Sequence, residues 1–319
     1  MDMIVIGIDI SKKKFDLALR FSGTKWLNRV FSNDIKGFEA LLNWFNQKDI
    51  TSATIALEAT GCYGEDLSRF LYHKGFTVLV VNPAQVKYFG HSGLARAKTD
   101  KKDARLIAEF VCAHKNIRPW SPRPPAEEKL RDLYRCLVAL KEDRVQQLNR
   151  LEALRDKDVR KIITNQLNFL SKQIKALEGR IRSLIDSAPD LRGKVELLQT
   201  IPGVGEVVSW GVLCESPDVK NFENARQLAA FAGLNPSIIQ SGSSVRGRGS
   251  ISKIGSASLR KLLYMPSLCA MTYNSHVKAL AERLRAKGKN GKLIVIACMR
   301  KLLHIIFGVL KNQKPFFVG

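Results

Sequence analysis

Two apolar runs in this chain each end on an acid, and a third segment carries two acids at helical spacing. Met3-Ile4-Val5-Ile6-Gly7-Ile8 runs into Asp9, and Ala53-Thr54-Ile55-Ala56-Leu57 runs into Glu58. Asp100 and Asp103, in Lys98-Thr99-Asp100-Lys101-Lys102-Asp103-Ala104, stand three apart and so share one face of a helix. Carboxylates converging from strand C-termini onto such a helix make a hard-oxygen site suited to magnesium. Taken singly, each acid has a plainer reading: Asp9 as a turn residue, Asp100 as an acid favoured by the dipole of a helix N-terminus. Their joint placement is what points to a metal.

Around these acids the chain is strongly basic. Its 319 residues include 52 Lys and Arg against 29 Asp and Glu, a formal charge of +23. From Ser241 to Gly319 there are 15 Lys and Arg and a single acid, Glu282, which gives +14 for that segment. Such an excess implies a polyanionic partner, nucleic acid first, and beside an acid site the natural substrate is a phosphodiester. A hydrophobic share of 45% is ample for buried cores and excludes a disordered basic tail. The length suggests two or three structural units.

The cysteines, Cys62, Cys112, Cys136, Cys214, Cys269 and Cys298, form no CxxC pair, and the histidines show no ligand spacing. Reduced, mostly buried thiols in a cytosolic protein are therefore expected, rather than zinc ligands or disulfides. No stretch reads as long and apolar enough to span a bilayer, and no signal-peptide pattern opens the chain. A cytoplasmic protein without membrane contact is the expectation.

Residues 3–9, 15–20 and 25–32 read as three short strands. Asp34 is placed to cap a helix bearing Ile35, Phe38, Leu41, Leu42 and Phe45. A strand to Glu58, a helix with Leu67, Phe70 and Leu71, and a strand from Phe76 to Val81 follow, the last ending at Asn82-Pro83. Three strands and then alternating helices and strands is the order of a ribonuclease-H-like α/β layer. Thr99 is a plausible N-cap for the helix of the paired aspartates, which continues through Leu106, Ile107 and Phe110.

Pro119-Trp120-Ser121-Pro122-Arg123-Pro124-Pro125 reads as a stiff linker. Between Glu127 and Leu184, leucines and isoleucines step by threes and fours, interrupted at Arg155-Asp156-Lys157-Asp158. Two long amphipathic helices are expected, as an antiparallel coiled-coil hairpin or paired with another subunit. Beyond Pro189, Ile201-Pro202-Gly203-Val204-Gly205 has the form of a helix-hairpin-helix turn, in which Gly203 and Gly205 bring backbone N–H groups to a phosphate. The four residues Pro202-Gly203-Val204-Gly205 also serve as an ordinary turn. Arg246-Gly247-Arg248-Gly249 and Lys287-Gly288-Lys289-Asn290-Gly291-Lys292 are Gly-spaced basic loops suited to a sugar-phosphate backbone. The expected division is residues 1–118, an α/β catalytic domain; 119–190, linker and coiled-coil helices; and 191–319, a mainly helical C-terminal domain.

The chain resembles the DEDD transposases of bacterial insertion sequences, the family numbered one-hundred-ten, with the Piv-type DNA invertases as near relatives. The resemblance rests on Gly7-Ile8-Asp9-Ile10-Ser11-Lys12, Leu57-Glu58-Ala59-Thr60-Gly61 and Lys98 to Ala104, which look like the family's RuvC-like N-terminal domain. Ile201 to Gly205, Phe231-Ala232-Gly233-Leu234-Asn235-Pro236, Gln240-Ser241-Gly242, and Ile251-Ser252-Lys253-Ile254-Gly255 with Leu259-Arg260 look like its C-terminal domain. It implies a recombinase that moves its own element, with Asp9, Glu58, Asp100 and Asp103 binding Mg²⁺ and a C-terminal serine that becomes covalently joined to DNA. It also implies a noncoding bridge RNA, encoded by the element, that pairs with donor and target DNA. Lys253 and Arg260 are expected on nucleic acid with Arg246, Arg248, Lys287, Lys289 and Lys292. Nothing in composition or spacing shows an RNA partner.

Ser241 is the expected nucleophile, standing before Gly242, with Arg246 and Arg248 following to hold the phosphate; Ser237, Ser243, Ser244, Ser250 and Ser252 crowd the same loop. Its distance in sequence from the acids leads to the expectation of a homo-oligomer, dimer or tetramer. Four rivals stand beside this reading. Gly7-Ile8-Asp9-Ile10-Ser11 also resembles the first phosphate loop of sugar-kinase and actin-like ATPases, but the chain lacks a second Gly-rich phosphate loop. A junction-resolving nuclease would use the acids and water and leave Ser241 idle. A site-specific invertase would use the same parts on DNA of different geometry. A non-enzymatic nucleic-acid binder would leave the acids unexplained.

Overall fold

The computed structural model describes residues 4–20, 25–59, 63–92, 100–114, 116–237, 240–241, 245–246 and 250–317. Side chains at 91, 92, 100, 101, 237, 240, 241, 245, 246 and 250 are outside that description. By its contacts the chain divides into two compact units, residues 1–122 and 123–319.

The first unit opens with β1 (Val5–Ile10), β2 (Lys14–Arg20) and β3 (Trp26–Ser32). Then come α1 (Ile35–Gln47), β4 (Thr54–Glu58), α2 (Glu65–His73), β5 (Thr77–Val81), α3 (Pro83–Ser92) and α4 (Asp100–Ala113). The strands form one mixed sheet in the order β3-β2-β1-β4-β5, antiparallel from β3 to β1 and parallel from β1 to β5. This is the element order that the apolar runs imply. Asp34 caps α1 as expected, its carboxylate accepting from Gly37 N at 2.8 Å. One face of the sheet is sealed by Phe38, Leu41, Phe45, Leu67 and Leu71 of α1 and α2, packed on Ile6, Ile8, Phe15 and Leu17. On the other face, Ile107, Phe110 and Val111 of α4 pack with Val5, Ala56 and Leu79.

Asn82-Pro83 does more than end β5. Asn82 Oδ1 accepts from Ala84 N at 2.8 Å and Pro83 opens α3, because a proline that cannot extend a strand suits a first helical turn. The Thr99 cap lies outside the described residues. The start of the expected linker is held on the first unit, where Trp120 N donates to Val78 O at 2.7 Å.

The second unit begins with two long helices, α5 (Pro125–Ala153) and α6 (Lys157–Asp186). Lys141 pairs with Glu178 at 2.8 Å and Arg144 bonds Ser171 at 3.2 Å, so one number rises as the other falls and the helices are antiparallel. Asp156 caps α6 through the N–H groups of Asp158 and Val159. After them come α7 (Pro189–Gln199), α8 (Glu206–Glu215), a 3₁₀ turn at Val219–Asn221 and α9 (Ala225–Phe231). Two pairs of two-residue strands follow, β6 (Pro236–Ser237) with β9 (Ser250–Ile251), and β7 (Gln240–Ser241) with β8 (Val245–Arg246). The unit ends with α10 (Ala257–Tyr273), α11 (Ser275–Ala286) and α12 (Gly291–Asn312). Leu130, Tyr134, Leu137, Ile181 and Ile185 of the long helices share a core with Leu191, Val195 and the fully buried Trp210. Arg123 donates to the carbonyls of Leu213 and Ser216, at 3.1 and 3.2 Å.

Two expectations are corrected here. α12 is, by length and composition, apolar enough to cross a bilayer. Its apolar surface instead supplies the core of the second unit, with Cys298, Leu302, Leu303 and Ile306 fully buried among α7 to α11. The thiols are not mostly buried. Cys112, Cys136 and Cys269 are exposed on outer helix faces, and only Cys214 and Cys298 are buried among the described cysteines. Burial pushes the Cys214 thiol up to about 12, so it stays protonated and inert.

Candidate active site

β1 and β4 run parallel with Ile8 beside Leu57, so the next residues, Asp9 and Glu58, stand side by side at the C-terminal ends of the strands, one residue before the end of β1 and at the end of β4. Alternation puts Asp9 on the face of Gly7, and Gly7 lies under α4. A Cβ built on Gly7 would overlap the carbonyl oxygen of Ala104 and lie 2.7 Å from Ala108 N. Helix and strand thus touch backbone to backbone, which only glycine allows. Val5 clusters with Ile107 and Val111, further along α4. Moving up β1 toward Asp9 therefore means moving down α4 toward its N-terminus, the turn that carries Asp100 and Asp103. Arg105 fixes the helix from the side, donating to Asn28 Oδ1 at 3.2 Å with its guanidinium 5.8 Å from the Trp26 ring.

Asp9, Glu58 and Asp103 are all half-buried. Among the described residues no three His, Cys, Asp or Glu side chains gather closely enough to hold an ion alone. The side chain of Asp100 is outside that description. The donor set is nonetheless one of hard oxygens, and the sheet adds a carboxylate that composition and spacing do not single out. Asp16 of β2 pairs directly with Asp9 and is only 6% exposed. Like charges facing each other across a ladder repel, and here Lys14 Nζ offsets the repulsion, 3.0 Å from Asp16 Oδ2. Three carboxylates, Asp16, Asp9 and Glu58, thus sit on adjacent strands at one level of the sheet, Asp16 with its charge offset by Lys14.

The loops beyond the strand ends are tied together. Asn33 Nδ2 donates to Ser11 O and to Tyr63 O, each at 3.0 Å, joining the loop after β1 to the one after β4. Ser11 in turn donates through N and Oγ to Lys14 O, at 2.9 and 2.7 Å. Neither Asn33 nor Asp16 is conspicuous in the sequence. The antiparallel register that follows from the short β1–β2 turn is the signal that brings Asp16 opposite Asp9.

In the second unit, Ser241 ends β7 and pairs in backbone register with Val245, while Gln240 pairs with Arg246. Arg248 lies outside the described residues. The hairpin stands within a frame of crossing loops. Ser252 N bonds Asn235 O at 2.9 Å, Lys253 N bonds Gly233 O at 3.2 Å, and Ser256 N bonds Phe231 O at 2.8 Å. Gly255 has φ +134°, and a Cβ there would overlap the Phe231 carbonyl. Arg260 braces the same crossing, giving Nη1 to the carbonyls of Ala232 at 2.9 Å and of Gly255 and Ser256 at 3.3 Å. Its charge is thus engaged inside the protein. Lys253, by contrast, is exposed at a left-handed φ of +54°.

Gly203 has φ +100°, and its Cα approaches α10, where a Cβ would be 2.9 Å from Pro266 O. Packing against α10 by itself requires a glycine there, whatever else the turn does. Gly205 is exposed at the start of α8, beside Glu206, whose carboxylate takes a two-pronged bond from Arg182 at 2.8 and 2.9 Å. Lys287, Lys289 and Lys292 are exposed at the α11–α12 turn, where Asn290 caps α12 by accepting from Lys292 N at 2.9 Å.

Comparison with known proteins gives the family. A transposase family model of the DEDD IS110 type matches residues 6–157, and a model of the IS116/IS110/IS902 transposase family matches residues 195–282. A pilin gene-inverting protein of Moraxella bovis is 35% identical over 99% of this chain and 98% of its own. The chain belongs to the IS110 family of transposases. Members of this family cut and transfer DNA strands, and DNA is the substrate here. The DEDD class generally uses divalent metal ions. The transposase of insertion sequence element IS1111A from Coxiella burnetii is 23% identical over 100% of this chain and 92% of its own. The Thermus thermophilus RuvC structure aligns with 37% of this IS110-family chain and 100% of its own, at 16% identity and a TM-score of 0.29. That score is too low to support an argument, and the sheet order stands on its own.

Proposed function

We propose that this chain is the recombinase of an insertion sequence, cleaving and rejoining DNA strands through a serine–DNA ester at a Mg²⁺ site. The observation that carries the reading is the row of carboxylates on β2, β1 and β4 under a helix seated on Gly7. Asp9, Glu58, Asp100 and Asp103 would hold Mg²⁺, which when bound offsets charge on the scissile phosphate. Asp16, its charge offset by Lys14, packs beside Asp9 and would help to position it. Ser241 Oγ forms a bond to phosphorus as one sugar C–O–P bond is broken on the phosphorus side. The hydroxyl proton leaves and the departing sugar oxygen gains one. The ester retains the phosphodiester energy, so the reverse attack by a new sugar hydroxyl rejoins strands without ATP.

Exposed Lys253, Lys287, Lys289 and Lys292, with Arg246 and Arg248, hold sugar-phosphate backbones in this reading; Gly203 and Gly205 add N–H groups at the α7–α8 turn. A surface that contacts backbones reads no sequence, which suits a bridge RNA that pairs with donor and target DNA. The distal half of the α5–α6 pair supports self-association, because Ile162 and Phe169 are 57% and 61% exposed there.

Site-specific inversion is the second reading, favoured by the full-length likeness to the pilin gene-inverting protein. Transposition and inversion share active-site residues and differ in DNA geometry. Sequencing of RNA bound to the purified protein, together with denaturing gels of its adducts on element-end DNA, tests both. An abundant element-encoded RNA and an adduct lost in Ser241→Ala support the guided recombinase. An adduct without enriched RNA supports an invertase that reads DNA directly, and no adduct with wild-type protein removes the serine mechanism.

A further inference from the structure

A groove of about 790 Å³ in the second unit has no part in the cleavage chemistry above. Leu280, Leu293, Ile296 and Ala297 supply its apolar surface, and Pro236 of β6 and Ile251 of β9 also line it. Lys292, Arg300 and Lys301 give it positive charge, and no acid lines it. Positions 293, 296, 297, 300, 301 and 304 fall on one side of α12, so apolar and cationic groups share a single helix face. From Asn290 to His304 this face is roughly 21 Å long.

Most of α12 is core, yet Leu293 is 45% exposed on this side. A second copy of the chain is a poor occupant, since it brings a further +23 against three cations. Duplex DNA satisfies the cations but keeps its base faces stacked. An unpaired nucleotide satisfies both parts, with phosphate on the cations and a base face on the aliphatic surface. His304 adds a polar element. Its Nε2 is buried without a hydrogen-bond partner, and burial, then Arg300, Lys301 and Arg226, lower its pKa and keep the ring neutral. A neutral imidazole can donate to or accept from a base edge.

We propose that this groove holds unpaired nucleotides of the DNA strand being exchanged, bases on the α12 face and phosphates on Lys292, Arg300 and Lys301. The inference rests on the recombinase reading, because strand exchange is what creates unpaired DNA. The chain supplies the proximity. The segment bearing Ser241 leaves from β6 and returns at β9, and both strands line the groove.

The test is photo-crosslinking of the full-length protein to a short single-stranded deoxyoligonucleotide with 5-iododeoxyuridine at each position in turn. Peptides are mapped by mass spectrometry and affinity is read by fluorescence anisotropy. The expected crosslinks fall between residues 291 and 304. Ala297→Trp, which fills the groove, reduces them by about tenfold, as for loss of one stacked base. Leu293→Asp, at an exposed position, does the same with the fold undisturbed. Crosslinks elsewhere, or crosslinks unchanged in both variants, overturn the proposal. So does stronger labelling by the matching RNA, which assigns the groove to a guide, or a change of oligomeric state in Leu293→Asp, which assigns it to a second copy. A Ser241 adduct formed without α12 crosslinks sinks the groove alone. Absence of both adduct and DNA binding sinks the recombinase reading beneath it.

Discussion

The acid-bearing and serine-bearing regions place their key residues in different ways. Asp9 and Glu58 stand at the C-terminal ends of strands in the interior of a five-stranded sheet, within one residue of the last, and the helix of Asp103 is seated against that sheet with no side chain between at Gly7. Ser241 stands on a two-residue strand whose only described ladder partner is another two-residue strand. What is firmly built there is the surrounding frame, through Arg260, Gly255 and three backbone bonds between the 231–235 and 252–256 loops. Ion coordination tolerates little displacement, and in the proposed reaction the carboxylates that would hold the cation sit on regular elements. Under the proposed mechanism, a nucleophile that must meet a phosphate brought by a large ligand would need a fixed base more than a fixed tip.

Substitutions test this contrast, beginning with the largest effect. Asp9→Asn is expected to take DNA cleavage below detection with the melting temperature unchanged; cleavage at a near-normal rate would remove Asp9 from the metal site. Ser241→Ala is expected to abolish the covalent adduct while DNA affinity, measured by anisotropy, is retained. Gly7→Val forces α4 off the sheet. It should cost about 1–3 kcal/mol in urea unfolding and roughly 10²-fold in cleavage through displaced carboxylates.

Arg260→Ala separates frame from tip. It removes a charged donor from three carbonyls, with an expected loss of about 1–3 kcal/mol of stability and partial recovery in Arg260→Lys. If stability holds while DNA affinity falls, Arg260 contacts DNA and the frame is held by the backbone bonds alone. The smallest effect is expected from Lys289→Ala, which should leave the melting temperature unchanged and reduce the salt dependence of DNA binding by about one phosphate contact.

Much of the first unit was legible in the sequence, because β1 and β4 are continuous apolar runs and Asp34 has the spacing of a cap. Asn82-Pro83 misleads as a simple stop, since proline ends a strand and begins a helix by the same lack of an N–H. Asp16 was hidden because an acid within an alternating strand looks like an ordinary polar position; only the pairing with Asp9 gives it meaning. α12 shows that an apolar stretch cannot by itself separate a bilayer span from a core helix. The basic residues were the least legible. Lys289 and Arg260 carry the same charge in sequence, yet one faces solvent and the other is spent on backbone carbonyls.

The contact between Gly7 and α4 also bears on how this protein can change. Ala104 and Ala108 are fully buried against Gly7, so the three positions form a size limit. A larger residue at Gly7 cannot be accommodated by repacking a neighbour, because the obstacle is main chain. Sequence drift or redesign therefore has freedom in the exposed lysine turns of the second unit, whereas the seat beneath the acids admits only the smallest side chains.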